Sequence, residues 1–148
     1  MRNALLPILF FAVQLHAQPG TLDATFNGNG IVQIDLTPSG DTGYDGLPTN
    51  DGRLYVCGYV DNGPQDNGFL LRLLNDGTPD PTFGTVVLPS GSNGRAFRMA
   101  FAPDSSVYVC GYADTLAYET FTLWHVLASG AMDTDFGTNG RSSVQIGF

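Results

Sequence analysis

Asp51–Gly84 reads DGRLYVCGYVDNGPQDNGFLLRLLNDGTPDPTFG, and Asp104–Gly137 reads DSSVYVCGYADTLAYETFTLWHVLASGAMDTDFG. Laid over each other without a gap, these 34-residue stretches agree at 13 positions: Asp51, Tyr55, Val56, Cys57, Gly58, Tyr59, Asp61, Leu70, Leu74, Gly77, Asp80, Phe83 and Gly84. Chance pairing at ordinary residue frequencies gives about two or three. The chain therefore repeats itself with a shift of 53 residues, and the fold question becomes what one unit is. A third, partial copy lies upstream, where Gly20–Phe26 matches Gly77–Phe83 and Gly130–Phe136. Its spacing to the next copy is 57 residues, and the four extra residues fall in a Gly- and Asp-rich stretch before Asp51. A surface turn lengthens there at little entropic cost.

Each unit divides into four strand-sized pieces. The first is Ala96–Phe101, with the weaker Tyr44–Leu47 as its counterpart. The second is Leu54–Tyr59 and Val107–Tyr112, and the third is Phe69–Leu74 and Thr122–Leu127. The fourth is Ile31–Leu36, Val86–Leu88 and Ser143–Phe148. Asn50-Asp51-Gly52, Asn75-Asp76-Gly77 and Asn27-Gly28-Asn29-Gly30 separate them, and such dipeptides tolerate the positive φ of tight hairpin turns. The third piece is apolar on both faces, with Phe69, Leu71 and Leu73 on one and Leu70 and Leu74 on the other. A strand buried on both sides lies between layers. Four antiparallel strands in about fifty residues, stacked on their neighbours, describe a β-propeller blade. The predicted class is all-β, with about two propeller-like blades present. Two units and a leading fourth-strand piece do not close a ring of four to eight blades, so missing blades or self-association are expected to complete it.

The units resemble the delta-60 repeat of long secreted bacterial proteins. The resemblance rests on Gly-x-x-Asp-x-x-Phe-Gly at Gly77–Gly84 and Gly130–Gly137, on Asp51-Gly52 before the strand ending in Gly58, and on Phe-x-x-Arg at Phe69–Arg72. Asp23–Gly30 resembles the first motif with Asn27 in place of the usual Gly. It covers nearly everything after Gly20. It implies a propeller-like fold and no activity. The chain departs from the pattern at His125, where Arg72 predicts Arg, and in lacking Asn-Gly after Gly84.

Composition narrows the function classes. Formal net charge is −8, all six basic residues are Arg, and the acids are thirteen Asp and Glu119. Without Lys there is no Lys nucleophile, Schiff base or P-loop. Nucleic acid and anionic membrane surfaces are poor partners for so acidic a chain. Asp, Gly, Asn and Pro are turn-makers. At the N-terminus, Met1-Arg2-Asn3 precedes the apolar run Ala4–Val13 and the exit Gln14–Ala17. That is the layout of a signal peptide spanning residues 1–17, cleaved after Ala17. The run is too short to cross a bilayer and is broken by Pro7. The mature repeat region, 18–148, has no second apolar stretch of spanning length and is expected to be secreted or held at the cell surface.

No residue set reads as a catalytic centre. Cys57 and Cys110 occupy equivalent positions in consecutive units. Equivalent points on stacked sheets lie about 10 Å apart, beyond the reach of a disulfide, so both read as small buried apolar residues. Two Cys and one His do not make a closed zinc site. His125 lacks a Gly-x-Ser-x-Gly elbow to serve and reads as a structural polar position. Asp23, Asp80 and Asp133 recur once per unit, so they should be spread around the array and bond backbone N–H groups in their turns. A buried Arg72 needs a carboxylate, and one of these three is its candidate. Phe26, Phe83 and Phe136 follow these turns and should plug the space between blades. Asp61–Gly68 is oxygen-rich but lacks EF-hand spacing and its terminal Glu. Trp124 and the Tyr55, Tyr59, Tyr108, Tyr112 set read as blade packing rather than a carbohydrate site.

The residues therefore read as an exported, non-enzymatic repeat scaffold that binds a protein or glycan ligand or spaces other domains, with no cofactor implied. The alternative is part of a propeller-type glycan-active enzyme whose remaining blades are absent.

Overall fold

The computed structural model of the chain describes residues 20–115 and 118–145. The expected signal peptide, residues 1–17, and the end of the last expected strand, residues 146–148, lie outside them. The described residues form eight strands: β1 Asp41–Pro48, β2 Leu54–Asp61, β3 Asp66–Leu73, β4 Thr85–Val87, β5 Gly94–Phe101, β6 Val107–Thr115, β7 Tyr118–Val126 and β8 Arg141–Val144. They make two antiparallel four-stranded sheets, β1-β2-β3-β4 and β5-β6-β7-β8. The fold is all-β, and each sheet is one repeat unit with the build of a propeller blade. Cys57 lies opposite Leu70 in the first blade, and Cys110 lies opposite Leu123 in the second.

Both blades carry a bulge in the same place, between Gly43 and Asp45 in β1 and between Ala96 and Arg98 in β5. Gly58 and Gly111 sit against these bulges. A Cβ on Gly58 would run into the Thr42 carbonyl oxygen, and one on Gly111 into that of Arg95. This accounts for the Cys-Gly pair of both units, because only glycine lets the second strand approach the bulged backbone so closely. The bulges also lock the blades together. Asp45 Oδ2 accepts the Met99 amide at 3.0 Å, and Arg98 donates to the Tyr44 carbonyl at 3.2 Å.

The main core lies between the blades. Tyr55, Cys57, Leu70, Phe83 and Leu88 of the first meet Ala96, Met99, Val107, Val109, Trp124 and Val126 of the second. Leu70, Leu88, Val107, Val109 and Trp124 are fully buried, and each such aliphatic side chain stabilises the fold by about 1.5–3 kcal/mol. The indole N–H of Trp124 donates to the Pro89 carbonyl at 2.8 Å. A second cluster covers the other face of the first blade, where Val60, Phe69, Leu71 and Leu73 meet Phe26, Val32, Ile34 and Leu36. β3 is thus buried on both sides.

One strand assignment is corrected. Ile31–Leu36 alternates as a strand does but forms none. Val32, Ile34 and Leu36 turn inward onto the first blade while Ile31, Gln33 and Asp35 stay exposed. The alternation reports one-sided burial. No described strand lies beside it to complete a ladder. The fourth strands also begin earlier than predicted, at Thr85 and Arg141, and the third strands end one residue short of Leu74 and Leu127.

Candidate functional site

Arg72 points from β3 into the space between the blades and is 6% exposed. Its Nε donates to Asp80 Oδ2 at 2.8 Å, and one terminal nitrogen to the Tyr55 hydroxyl at 3.0 Å and the Ala128 carbonyl at 3.2 Å. The other reaches Thr82 Oγ1 at 3.2 Å, and the guanidinium lies 4.6 Å from the Phe83 ring centre. A buried charge persists only with partners of this kind. Asp80 Oδ1 also accepts the Thr82 hydroxyl and amide. The Thr82 hydroxyl first, and Arg72 after it, hold the Asp80 carboxyl down at about 2. Ala128 belongs to the turn after β7, so Arg72 ties one blade to the next.

His125 occupies the Arg72 position of the second blade and reproduces half of this arrangement. Nδ1 lies 2.7 Å from Asp133 Oδ2, as Arg72 meets Asp80. Nε2 lies 2.6 Å from Ser106 Oγ. The ring stacks on Tyr108 at 4.1 Å between centres, with Phe136 edge-on at 5.5 Å. Ser106, His125 and Asp133 therefore stand at the spacings of a Ser-His-Asp hydrolase. Sequence reading did not bring Ser106 to His125. The signal was a paired departure: unit one has Arg53 and Arg72 where unit two has Ser106 and His125.

The protons run the wrong way for a nucleophile. Ser106 Oγ also lies 2.5 Å from Asp104 Oδ1, and this bond is the first cause holding Asp104 below the usual carboxylate range. A carboxylate only accepts, so the single hydroxyl proton of Ser106 lies toward Asp104 and is not shared with His125 Nε2. Ser106 is 1% exposed, and its amide is already bonded to Asp104.

The other sequence candidates fall into place separately. Asp23, Asp80 and Asp133 each accept the backbone amide two residues on, at Thr25, Thr82 and Asp135, and are not brought together. Phe83 is buried at the blade interface, whereas Phe26 and Phe136 are half-buried. Phe26 covers Gly77, and Phe83 covers Gly130. Both cysteines are free; Cys57 is buried and Cys110 half-buried. Burial pushes the Cys57 thiol up to about 12. Asp61–Gly68 spans the hairpin between β2 and β3, where Asp61 accepts the Gly63 amide and Asp66 pairs with Arg95. A cation there would compete with Arg95. Tyr55 and Trp124 are buried, and the face of Tyr59 is covered by Arg95, 4.1 Å from the ring centre.

A cleft of about 390 Å³ opens where the β1–β2 turn of one blade meets the β5–β6 turn of the next. Its walls include Asn50, Asp51, Arg53, Phe101 and Ser105. Sequence reading did not single out Asn50, Phe101 or Ser105, because their proximity arises only once the blades stack. The volume falls within the range of small-molecule sites.

The family described as "Domain of unknown function (DUF5122) beta-propeller" matches residues 49–83, from the β1–β2 turn to Phe83. That supports a propeller-like repeat. No curated protein and no solved structure matches the chain.

Proposed function

We propose that this chain is an exported repeat scaffold of the delta-60 kind, without enzymatic activity, that binds an extracellular or cell-surface ligand at its turn end. The division of polar labour carries this reading. Polar side chains on the blade faces are committed to structure: Arg72, held by Asp80 and Tyr55, reaches Ala128 of the next blade, Asp45 bonds Met99 across the same boundary, and His125 with Ser106 and Asp133 braces the second blade internally. At the turn end, the side chains of Asn50 and Ser105 have no hydrogen-bond partner among the described residues. Rigid strands bearing uncommitted loop side chains are the usual arrangement of binding modules. The leader Met1–Ala17 and the delta-60 likeness support export.

Two measurements test it. Protein recovered from the medium or cell surface should begin at Gln18 or within a few residues of it; soluble cytoplasmic protein that keeps Met1 would overturn export. Fluorescently labelled chain should decorate the cells that export it. A variant carrying Asn50→Ala and Ser105→Gly, which spares the buried Ser106, should fold and lose the decoration. Undiminished decoration would place binding elsewhere.

A further inference from the structure

We infer that the cleft between the two turns takes a neutral saccharide; this rests on the turn-end binding proposed above and names its ligand class. Charge decides the class first. Arg53 donates to Asp51 through Nε at 2.9 Å and a terminal nitrogen at 2.6 Å. Thr49 Oγ1 donates to the other Asp51 oxygen. Cation and anion in the wall are thereby paired. An anionic ligand would have to draw Arg53 from Asp51 on a chain of net charge −8, and a cationic one would have to draw Asp51 from Arg53. A purely apolar ligand would strand the wall's polar groups without water.

What the walls do offer is one aromatic ring beside a row of donors and acceptors. Phe101 is 37% exposed although it sits at the end of β5. Its ring is fixed edge-to-face on Tyr55 at 5.2 Å, and Tyr55 is fixed in the same way on Phe83 at 5.2 Å. The exposed ring is thus rigid, and a sugar's C–H face can pack on it with little ordering cost. The Asn50 amide, the Ser105 hydroxyl and the outer edge of the Arg53–Asp51 pair supply hydrogen bonds to hydroxyl groups.

Ser105 is the second, independent observation. Its φ is 68°, in the left-handed region, where the preceding unit carries Gly52 at 85°. A side chain in that region costs stability relative to glycine. In unit two the turn departs from glycine at a position lining the cleft, and what it gains there is a hydroxyl.

Calorimetric titration of the full chain with xylotriose, cellotriose and maltotriose, and with tri-galacturonate as the charged counterpart, tests this. At least one neutral trisaccharide should bind with Kd of about 1 mM or tighter, and tri-galacturonate at least about tenfold more weakly. Phe101→Ala should weaken binding by about tenfold or more. Ser105→Gly relieves the backbone, so it should raise the melting temperature while weakening binding by about fivefold, the loss of one hydrogen bond. The inference is overturned if no neutral trisaccharide binds, if the charged sugar binds equally, or if both variants keep the wild-type Kd. Failure here with cell decoration intact would leave the scaffold reading standing with a different ligand.

Discussion

His125 shows how far a single residue's neighbours determine its chemistry. By distance alone, Ser106, His125 and Asp133 form a hydrolytic triad. The extra carboxylate of Asp104 takes the one hydrogen bond the Ser106 hydroxyl can donate, and an occluded hydroxyl already donating to a carboxylate is a poor nucleophile. A fluorophosphonate probe should therefore leave Ser106 unmodified in folded protein by intact-mass spectrometry. Stoichiometric addition at Ser106 would restore the enzyme reading. The first blade's equivalent node yields a different test. The Asp80 carboxyl is held at about 2, against an ordinary value of 3.8. Its contribution to stability is thus complete above about pH 4 and is lost as pH falls toward 2. Thermal melts of wild type and Asp80→Asn should differ most above pH 4 and converge near pH 2. A gap unchanged across that range would mean the Thr82 and Arg72 contacts do not set the charge state of Asp80.

At the scale of the element, the repeated Phe is the sharpest probe of blade packing. Phe83 is 6% exposed, against Tyr55, Arg72 and the Gly130 turn of the next blade. Phe83→Ala should cost about 3–5 kcal/mol in chemical denaturation. Phe136 holds the same repeat position but is only half-buried, so Phe136→Ala should cost clearly less. Equal losses would show that the second blade's outer face is as well covered as the first's. These elements were legible because the shift of 53 aligns Tyr55-Val56-Cys57-Gly58-Tyr59 with its copy and supplies strand order and turns at once. Where sequence reading failed, periodicity reported something other than hydrogen bonding. In Ile31–Leu36 alternation reflects side chains laid onto a neighbouring sheet. In β1, Gly43, Asp45 and Gly46 limited the reading to Tyr44–Leu47, the middle of a strand that runs from Asp41 to Pro48 around a bulge at Tyr44. The candidate sites were less legible, since Ser106 meets His125, and Asn50 nears Ser105, only across strands and blades.

For the whole molecule, the two blades present the same face twice, and only one copy is covered. In the first blade Tyr55, Cys57 and Leu70 are buried beneath the second; their equivalents Tyr108, Cys110 and Leu123 are half-buried. Phe121 stands on that same open face, 49% exposed, where the first blade has Gly68. Its polar groups do not need a neighbour in the way Arg72 does, because both nitrogens of His125 are satisfied within the blade. Its apolar surface does, since contiguous exposed apolar area and unpaired sheet edges promote association. Residues 18–148, without the apolar run Ala4–Val13, should therefore associate as their concentration rises, seen as growth in light-scattering mass. Phe121→Asp removes apolar area at an exposed position, leaves the buried face of β7 untouched, and should return the chain to a monomer with its melting temperature nearly unchanged. Wild type that stays monomeric at every concentration and melts cooperatively would mean that two blades suffice in water, and that the second blade's outer face closes without a partner.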